Sequence, residues 1–387
     1  MSASHLTEGH TDTMLSARTP QEMLAQLVGF DTVVGRPNLP LIEAVADWLD
    51  GHGISCRILV GPEGDRANLF ATIGDATRPG YILSGHVDVV PAGELGWHAD
   101  PFTLRQAGDR LIGRGACDMK GFVAAVLAAA PDLAAMALAT PLHIALSYDE
   151  EAGCKGVPHL IARLPELCAA PLGCIVGEPT GLVPVLAHKG KAALRLRATG
   201  VAGHSSRPDL GRNAIHALLP ALIAAEAQAR ELQARGPQDD RFAPPWSSVQ
   251  VGTVTGGQAL NIIPDRAEAE IEARAIAGTD PGSLLDPVLA AADKSGVETE
   301  WLSSYPPLAL DAAHPLAALM SEISGHLATA AVSFGTEAGL FQQAGIPAII
   351  CGPGDIARAH RPEEYLTLPE LRACHAMLLA LGRVCAG

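Results

Sequence analysis

The segment Ser84-Gly85-His86-Val87-Asp88-Val89-Val90-Pro91 directly follows the apolar run Tyr81-Ile82-Leu83. The apolar run predicts the end of a buried strand, and Pro91 predicts that the ladder stops there. Because residues i and i+2 of a strand point to the same side, His86 and Asp88 should emerge together. An imidazole beside a carboxylate is a pairing that metal sites use, although a polar loop would show the same pair.

Acidic side chains recur after other short apolar runs. Asp149-Glu150-Glu151 follows one such run, and Glu178 follows the next. In α/β folds, ligands bind beyond the carboxyl ends of the strands. Adjacent residues there point apart, so Glu150 and Glu151 should have separate roles. A solvated acidic loop is the alternative.

Asp118 lies in the glycine-rich stretch Gly113–Gly121, which opens a long Ala-rich segment. A carboxylate at that position either faces a ligand or caps the following helix. The segment 122–146 is almost wholly apolar, but Pro131 and Pro141 interrupt it. We therefore interpret it as a buried helix followed by a buried strand, and not as a membrane span.

The order of elements predicts an α/β fold: a doubly wound, mostly parallel sheet forms a catalytic domain. From about His188 the strands alternate apolar and polar residues, which predicts an inserted α+β domain with an antiparallel sheet and two helices. The predicted domain segments are 1–188 and 305–387 for the catalytic domain and 189–304 for the insert. Predicted helices cover residues 38–52, 213–232, 281–294 and 315–329, with others starting at Thr19-Pro20 and Pro369; predicted strands cover 55–60, 68–73, 142–147, 191–200, 249–254, 267–275 and 347–351.

The composition restricts the class of partner and the compartment. Among 387 residues, 42 acidic side chains outweigh 27 basic ones, and the net charge of −15 argues against nucleic acid and anionic membranes as partners. The eight cysteines form no C-x-x-C pair, which is typical of a reducing compartment. The first residues carry no basic and apolar leader, so we expect a cytoplasmic protein with a loose arm before about Thr19.

Taken together, these motifs resemble those of the di-zinc aminoacylase and carboxypeptidase superfamily. The resemblance covers nearly the whole chain in the right order, and its motifs are Ser84–Pro91, Gly113–Gly121, Asp149–Glu151, Gly177–Thr180 and Ala359–Pro362. Further stretches resemble the acetylornithine deacetylase branch more than the desuccinylase branch: Ala187–Gly190, Gly203–Ser206, Thr336–Ala338 and Pro362–Tyr365.

The resemblance implies two divalent metal ions that share one carboxylate. The implied ligands are His86, Asp118 and Glu178 for one ion, and Asp118, Glu151 and His360 for the other. It also implies that Asp88 orients His86 and that Glu150 is the general base. Nitrogen and oxygen ligands without thiolate suit zinc, with cobalt or manganese as substitutes.

Four further residues have expected roles outside the metal ligands. The resemblance implies that His204 reaches the partner subunit's site in a homodimer and stabilises the oxyanion; an ordinary turn histidine is the alternative. It also implies that Asn261 and Arg274 hold the substrate, although Arg274 is equally consistent with a surface charge at a strand end. Beyond the family pattern, we expect Glu337 to pair with a cationic substrate side chain or to be a solvated loop acid.

The expected activity is metal-dependent hydrolysis of N2-acetylornithine to ornithine and acetate, a step of arginine biosynthesis. Related enzymes share the metal site and differ in a few pocket residues. Another N-acyl amino acid (N-acetylcitrulline or N-succinyl-diaminopimelate) or a dipeptide is therefore an alternative substrate. A catalytically inactive relative that binds an amino-acid derivative is a further alternative, against which the intact ligand set and Glu150 argue.

Overall fold

The first and last helices begin at capping boxes that the sequence supplies. The computed structural model describes residues 15–93 and 95–387, so most of the predicted N-terminal arm lies outside the described residues. The first helix starts after Thr19, whose hydroxyl accepts the backbone N–H of Glu22 while the Glu22 carboxylate accepts the N–H of Thr19. The last helix repeats this capping box with Thr367 and Glu370.

The α-helices of the described residues are α1 (Pro20–Val28), α2 (Leu39–Asp50), α3 (Lys120–Ala135), α4 (Val157–Ile161), α5 (Leu164–Leu167), α6 (Ala214–Arg235), α7 (Asp286–Lys294), α8 (Pro315–Ser324), α9 (Ala338–Gln343) and α10 (Leu368–Ala386). The strands are β1 (Cys56–Val60), β2 (Ala67–Ile73), β3 (Tyr81–His86), β4 (Arg105–Ala107), β5 (Arg110–Ile112), β6 (Leu142–Ser147), β7 (Gly173–Pro179), β8 (Val185–His188), β9 (Gly190–Thr199), β10 (Ser248–Gly256), β11 (Arg266–Ala275), β12 (Glu298–Tyr305), β13 (Leu308–Ala309), β14 (Ala330–Val332), β15 (Ala348–Gly352) and β16 (Tyr365–Thr367).

The largest sheet has the strand order β1-β2-β6-β3-β7-β15-β8-β13, with β14 also paired to β8. Its centre, β6-β3-β7-β15, is parallel, and its outer pairs are mostly antiparallel. Helices α1, α3 and α10 pack together on one face, while α4 and α9 cover the other. Both faces of the sheet are therefore buried, which explains the continuous apolar runs of the central strands. The predicted α/β architecture is confirmed.

A separate antiparallel sheet has the order β10-β11-β9-β12. Helices α6 and α7 pack together, and apolar side chains of the sheet form a core with them. The charged residues on the other face form ion pairs across the strands, such as Arg195 with Glu270 and Arg197 with Glu300. The α+β part of the predicted fold class is confirmed. The exact domain segments stay a prediction.

Several element boundaries differ from the sequence-based expectations. Strand β12, one of the two edge strands of the second sheet, was not predicted. Helix α8 ends at Ser324, and not near residue 329, because Gly325 adopts a left-handed conformation with φ 73°. The apolar segment 122–146 does form a helix followed by a strand, as expected. Among the described residues, no helix is long and apolar enough to cross a membrane.

A small sheet, β16-β5-β4, joins the C-terminal part of the chain to residues 105–112. Leu366 pairs with Leu111, and the backbone oxygen of Glu364 accepts the N–H of Gly113 at 3.0 Å. This pairing brings the loop after β15, which carries His360, beside the loop before α3, which carries Asp118.

Candidate metal centre and substrate cleft

The candidate ligands converge on the carboxyl edge of the central parallel strands. His86 is the last residue of β3, Glu150 and Glu151 follow β6, and Glu178 lies at the end of β7. Since β6, β3 and β7 are parallel neighbours, their carboxyl ends meet at one edge. Asp118 and His360 reach the same place from their loops. The structure therefore brings together the five implied metal ligands and the implied base Glu150.

Asp118 lies at the centre of this cluster. Its Oδ1 is 3.0 Å from His86 Nε2, and its Oδ2 is 3.3 Å from His360 Nε2. His360 Nε2 also lies 2.9 Å from Glu151 Oε1, and His86 Nε2 lies 3.8 Å from Glu178 Oε1. The Asp118 carboxylate therefore faces one histidine with each oxygen, and the alternative that it merely caps α3 is wrong.

Asp88 supports two parts of the site. The Nδ1 atom of His86 lies 3.0 Å from the backbone oxygen of Asp88 and 3.5 Å from its Oδ1. The two carboxylate oxygens of Asp88 accept the backbone N–H groups of Glu150 and Glu151, each at 3.1 Å. Asp88 thus orients the imidazole from behind, leaving Nε2 free to face the cluster, and also fixes the acidic turn after β6.

Two overlapping sets of side chains offer ligand atoms within 4.8 Å of one another. One set is His86, Glu150 and Glu178, and the other is His86, Asp118 and Glu151. In the first set, Glu150 is close enough to His86 and Glu178 to bind the same metal ion, whereas the resemblance implies that it transfers a proton. The thiol of Cys154 donates to Glu150 Oε1 at 3.3 Å, a contact that sequence analysis did not anticipate.

The buried glutamate carboxyl groups of the cluster have raised pKa values, which nearby positive charge would lower. Burial, reinforced by neighbouring carboxylates, raises the pKa of Glu150 to about 8 and that of Glu151 to about 7. Burial also raises the pKa of Glu178 well above its usual range. Hydrogen bonds with Asp118 and Glu151 raise the pKa of His360 to about 10. Carboxylates packed this closely cannot all ionise unaided, and divalent cations would remove that conflict. The oxygen and nitrogen donor set fits such ions.

A cleft of about 200 Å³ opens beside the cluster. Besides the acidic residues and His360, it is lined by Gly153, Lys191, Arg274, Tyr305, Phe334, Gly335 and Ile356. Arg274 and Tyr305 are the register partners of Lys191 on the strands to either side, so the three residues form one row across β11, β9 and β12. The row presents two cations and a phenol to the acidic cluster.

Arg274 is held within this row. Its Nη1 donates to Tyr305 Oη at 3.2 Å, and its Nε donates to Glu272 at 2.7 Å. Lys191 Nζ lies 3.4 Å from the other oxygen of Glu272. Arg274 therefore lies at the cleft, as its expected role requires. Sequence analysis missed Lys191 and Tyr305, since only the strand register shows that they align with Arg274.

Glu337 requires a correction. It is 1% exposed, and its two oxygens accept the hydroxyls of Ser84 at 2.5 Å and Ser147 at 2.7 Å. Both hydroxyls belong to strands of the central sheet, so the carboxylate is buried beneath the site and does not line the cleft. This geometry contradicts the expectation that Glu337 binds a cationic substrate side chain, and also its solvated-loop alternative.

His204 and Asn261 lie away from the cleft of their own chain. Both are exposed loop residues beside the second sheet, where His204 pairs with Ile262 and the Asn261 oxygen accepts the N–H of Ser205. His204 Nδ1 lies 2.7 Å from Ser206 Oγ. Within one chain the structure does not bring these two residues to the metal ligands, and their expected roles stay predictions.

Comparisons with known proteins identify the family of the chain. The sequence profile of Peptidase family M20/M25/M40 matches residues 82–383. An acetylornithine deacetylase from Myxococcus xanthus is 35% identical over 381 residues, covering 94% of this chain and 97% of that protein.

Solved structures show the same fold. An M20 family metallo-carboxypeptidase from Sulfolobus solfataricus has a TM-score of 0.75 at 17% identity, covering 95% of this chain and 99% of that one. A dinuclear metal-binding M20 peptidase from Bacillus subtilis has a TM-score of 0.61 at 16% identity, covering 94% of this chain and 98% of that one.

The chain therefore belongs to Peptidase family M20/M25/M40, and it is a metal-dependent amidohydrolase.

Proposed function

We propose that the protein hydrolyses the amide bond of an N-acyl amino acid at a centre of two divalent metal ions, with N2-acetylornithine as substrate and ornithine and acetate as products. The observation that carries the proposal is the position of Asp118, whose two oxygens face His86 and His360 at 3.0 and 3.3 Å. Similarity to acetylornithine deacetylases supports the choice of substrate and a place in arginine biosynthesis.

The residues that would hold the ions are those implied by the resemblance: His86, Asp118 and Glu178 for one, and Asp118, Glu151 and His360 for the other. Bound divalent ions would polarise the substrate carbonyl and lower the pKa of water toward about 7. We propose zinc, because the donors are imidazole and carboxylate, with cobalt as a functional substitute.

Glu150 is the proposed proton carrier. It accepts a proton from the attacking water as the carbon–oxygen bond forms, and it delivers that proton to the amine as the carbon–nitrogen bond breaks. Its carboxylate lies within 4.8 Å of the ligand atoms of His86 and Glu178, which would place it beside a water held by an ion there. The turn that carries it is fixed by Asp88, and the Cys154 thiol contacts its Oε1.

The row formed by Arg274, Lys191 and Tyr305 is the proposed site for the α-carboxylate of the substrate. Arg274 Nε and Nη2 both donate to Glu272, and Nη1 donates to Tyr305, which holds the guanidinium in place. The remaining hydrogens on Nη1 and Nη2 are the donors offered to a substrate carboxylate. The row lines the same cleft as the candidate metal ligands, so a carboxylate bound there would leave the adjacent acylated nitrogen within that cleft.

A homodimer is part of the proposal. His204 does not reach the cleft of its own chain, so a role in stabilising the oxyanion requires a second copy. We further propose a cytoplasmic location, which the free state of all eight cysteines supports.

One observation favours a second substrate class. With Glu337 buried, the carboxylates among the described residues lining the cleft all belong to the candidate metal ligands or to the proposed base. No acid is left there to pair with the ornithine ammonium group. An N-acyl amino acid with a neutral side chain, such as N-acetylcitrulline, is therefore the second candidate.

The test is the hydrolysis rate on N-acetylornithine, N-acetylcitrulline and N-succinyl-diaminopimelate, with protein stripped by a chelator and reloaded with zinc or cobalt. We expect metal-dependent activity with the highest kcat/KM on N-acetylornithine. A preference for N-acetylcitrulline would support the second candidate. Absence of turnover across a wider panel of acyl amino acids, despite bound metal, would favour an inactive relative.

A further inference from the structure

Glu364 is a buried carboxylate that holds the loop carrying Asp118. It is 1% exposed, and its Oε1 accepts the backbone N–H groups of Cys117 at 2.9 Å and Asp118 at 3.1 Å. Its Oε2 accepts Arg114 Nη1 at 2.8 Å, and its backbone oxygen accepts the N–H of Gly113. A single residue therefore contacts both the beginning and the end of the loop 113–118.

The loop needs such an anchor. Gly113 and Gly115 give it conformational freedom, and Gly115 adopts a left-handed φ of 78°. The two N–H bonds to Glu364 fix the peptide planes that lead into Asp118. Because the Asp118 carboxylate faces both histidines, a small rotation of these planes would disturb both halves of the candidate metal centre.

Glu364 also connects the loop to a second ligand. It lies four residues after His360, on the segment that β16 ties to β5. The Arg114 guanidinium that pairs with Glu364 is itself 1% exposed and lies 5.2 Å from the Trp97 ring centre. Arg114 also donates to the backbone oxygens of Pro91 at 3.1 Å and Arg361 at 3.4 Å, so the buried ion pair connects the loop of Asp118 with the loop of His360.

We propose that Glu364 is a positioning residue that sets the metal affinity of the site by orienting Asp118. This inference rests on the two-metal centre of the proposed function and is independent of the proposed substrate. Groups that orient metal ligands typically change metal affinity by about 10–100-fold when they are removed.

The test compares two double variants, R114M/E364Q and R114M/E364M. Both lack the ion pair, and neither leaves an unpaired guanidinium buried, which would itself be strongly destabilising. The two side chains at position 364 have similar length, but glutamine keeps an oxygen that can accept the N–H groups of Cys117 and Asp118, and methionine does not. Zinc affinity is measured by competition with a chromophoric chelator, and coordination is followed by the visible absorption of the cobalt-loaded protein.

We expect R114M/E364M to bind zinc about 10–100-fold more weakly than R114M/E364Q and to show an altered cobalt spectrum. Equal affinities and identical spectra would overturn the proposal. The matched control is E363Q, because the neighbouring Glu363 contacts His98 and Arg105, and its variant should bind zinc like the unmodified protein.

If R114M/E364M does not fold, the single variant E364D decides the question against E363D. It keeps a carboxylate beside Arg114, but its shorter side chain cannot reach both Arg114 and the N–H groups of Cys117 and Asp118, so zinc affinity should fall below that of E363D. Equal affinity of these two variants would overturn the proposal. A protein that binds zinc as expected but does not hydrolyse N-acetylornithine would refute the substrate and leave the role of Glu364 intact.

Discussion

Replacing Glu150 by Gln separates two roles that the geometry allows for this residue. The amide has nearly the shape of the carboxylate, and its oxygen can still accept the Cys154 thiol. The backbone bond from Glu150 to Asp88 is unaffected. If Glu150 is the general base, kcat should fall by about 10²–10⁴-fold, which corresponds to roughly 3–5 kcal/mol of transition-state stabilisation. The content of bound zinc should stay unchanged.

The assay combines steady-state hydrolysis of N-acetylornithine with the zinc content of the dialysed protein. Glu151→Gln is the contrasting variant, because its carboxylate contacts His360 at 2.9 Å and we expect its loss to lower zinc content. A Glu150→Gln protein that loses zinc would show that Glu150 is a ligand, as its closeness to His86 and Glu178 allows. A Glu150→Gln protein with unchanged kcat and zinc content would refute both roles.

Three further changes have defined outcomes. Arg274→Met should raise KM about 10–100-fold with little change in kcat, because a charged hydrogen bond contributes roughly 1.5–3 kcal/mol; an unchanged KM in steady-state kinetics would remove Arg274 from the substrate site. Burial lowers the pKa of His188 to about 4, and its Nε2 accepts the Gly339 N–H. The unfolded imidazole titrates near 6.5, so the unfolded chain binds more protons between these values and stability should fall as pH drops from about 6.5 to 4. Urea unfolding of His188→Gln should show a shallower fall, and an identical pH dependence would contradict this. Gly177→Ala would place a Cβ 1.9 Å from the Phe122 ring and should destabilise the fold by about 1–3 kcal/mol or more, seen as a lower urea midpoint; an unchanged midpoint would mean that the ring moves aside freely.

The convergence of the candidate ligands could be predicted because their positions follow from a rule about strands. His86, Glu151 and Glu178 each follow an apolar run, and parallel strands place such residues at one edge. The runs are apolar because helices cover both faces of the sheet. In this part of the chain, the apolar runs in the sequence correctly indicate which residues lie at the carboxyl edge of the sheet. The family motifs contain the same residues.

Glu337 shows where such reasoning fails. An acid after a glycine and a threonine has the local pattern of a surface loop, yet its partners Ser84 and Ser147 are 253 and 190 residues away. Its burial depends on the way that α9 packs on the sheet, which no short stretch of sequence encodes. Glu364 is a similar case, since its partners Cys117 and Asp118 are about as distant.

The cleft residues Lys191 and Tyr305 were missed for another reason. They lie in one row with Arg274 only because β9 pairs with β11 on one side and β12 on the other. Strand β12 was not predicted, and a register slip of one residue would turn Tyr305 to the opposite face. The chemistry of such a row becomes visible only once the strand pairing is known.

Equilibrium titration of the metal-free protein with zinc is the most direct test of the two-metal centre, with the bound zinc per chain measured alongside hydrolytic activity. We expect two zinc ions per chain, and we expect Asp118→Asn to weaken both because this carboxylate faces both His86 and His360. A single bound zinc, or an Asp118→Asn variant that binds two ions as tightly as the unmodified protein, would contradict a centre built around Asp118.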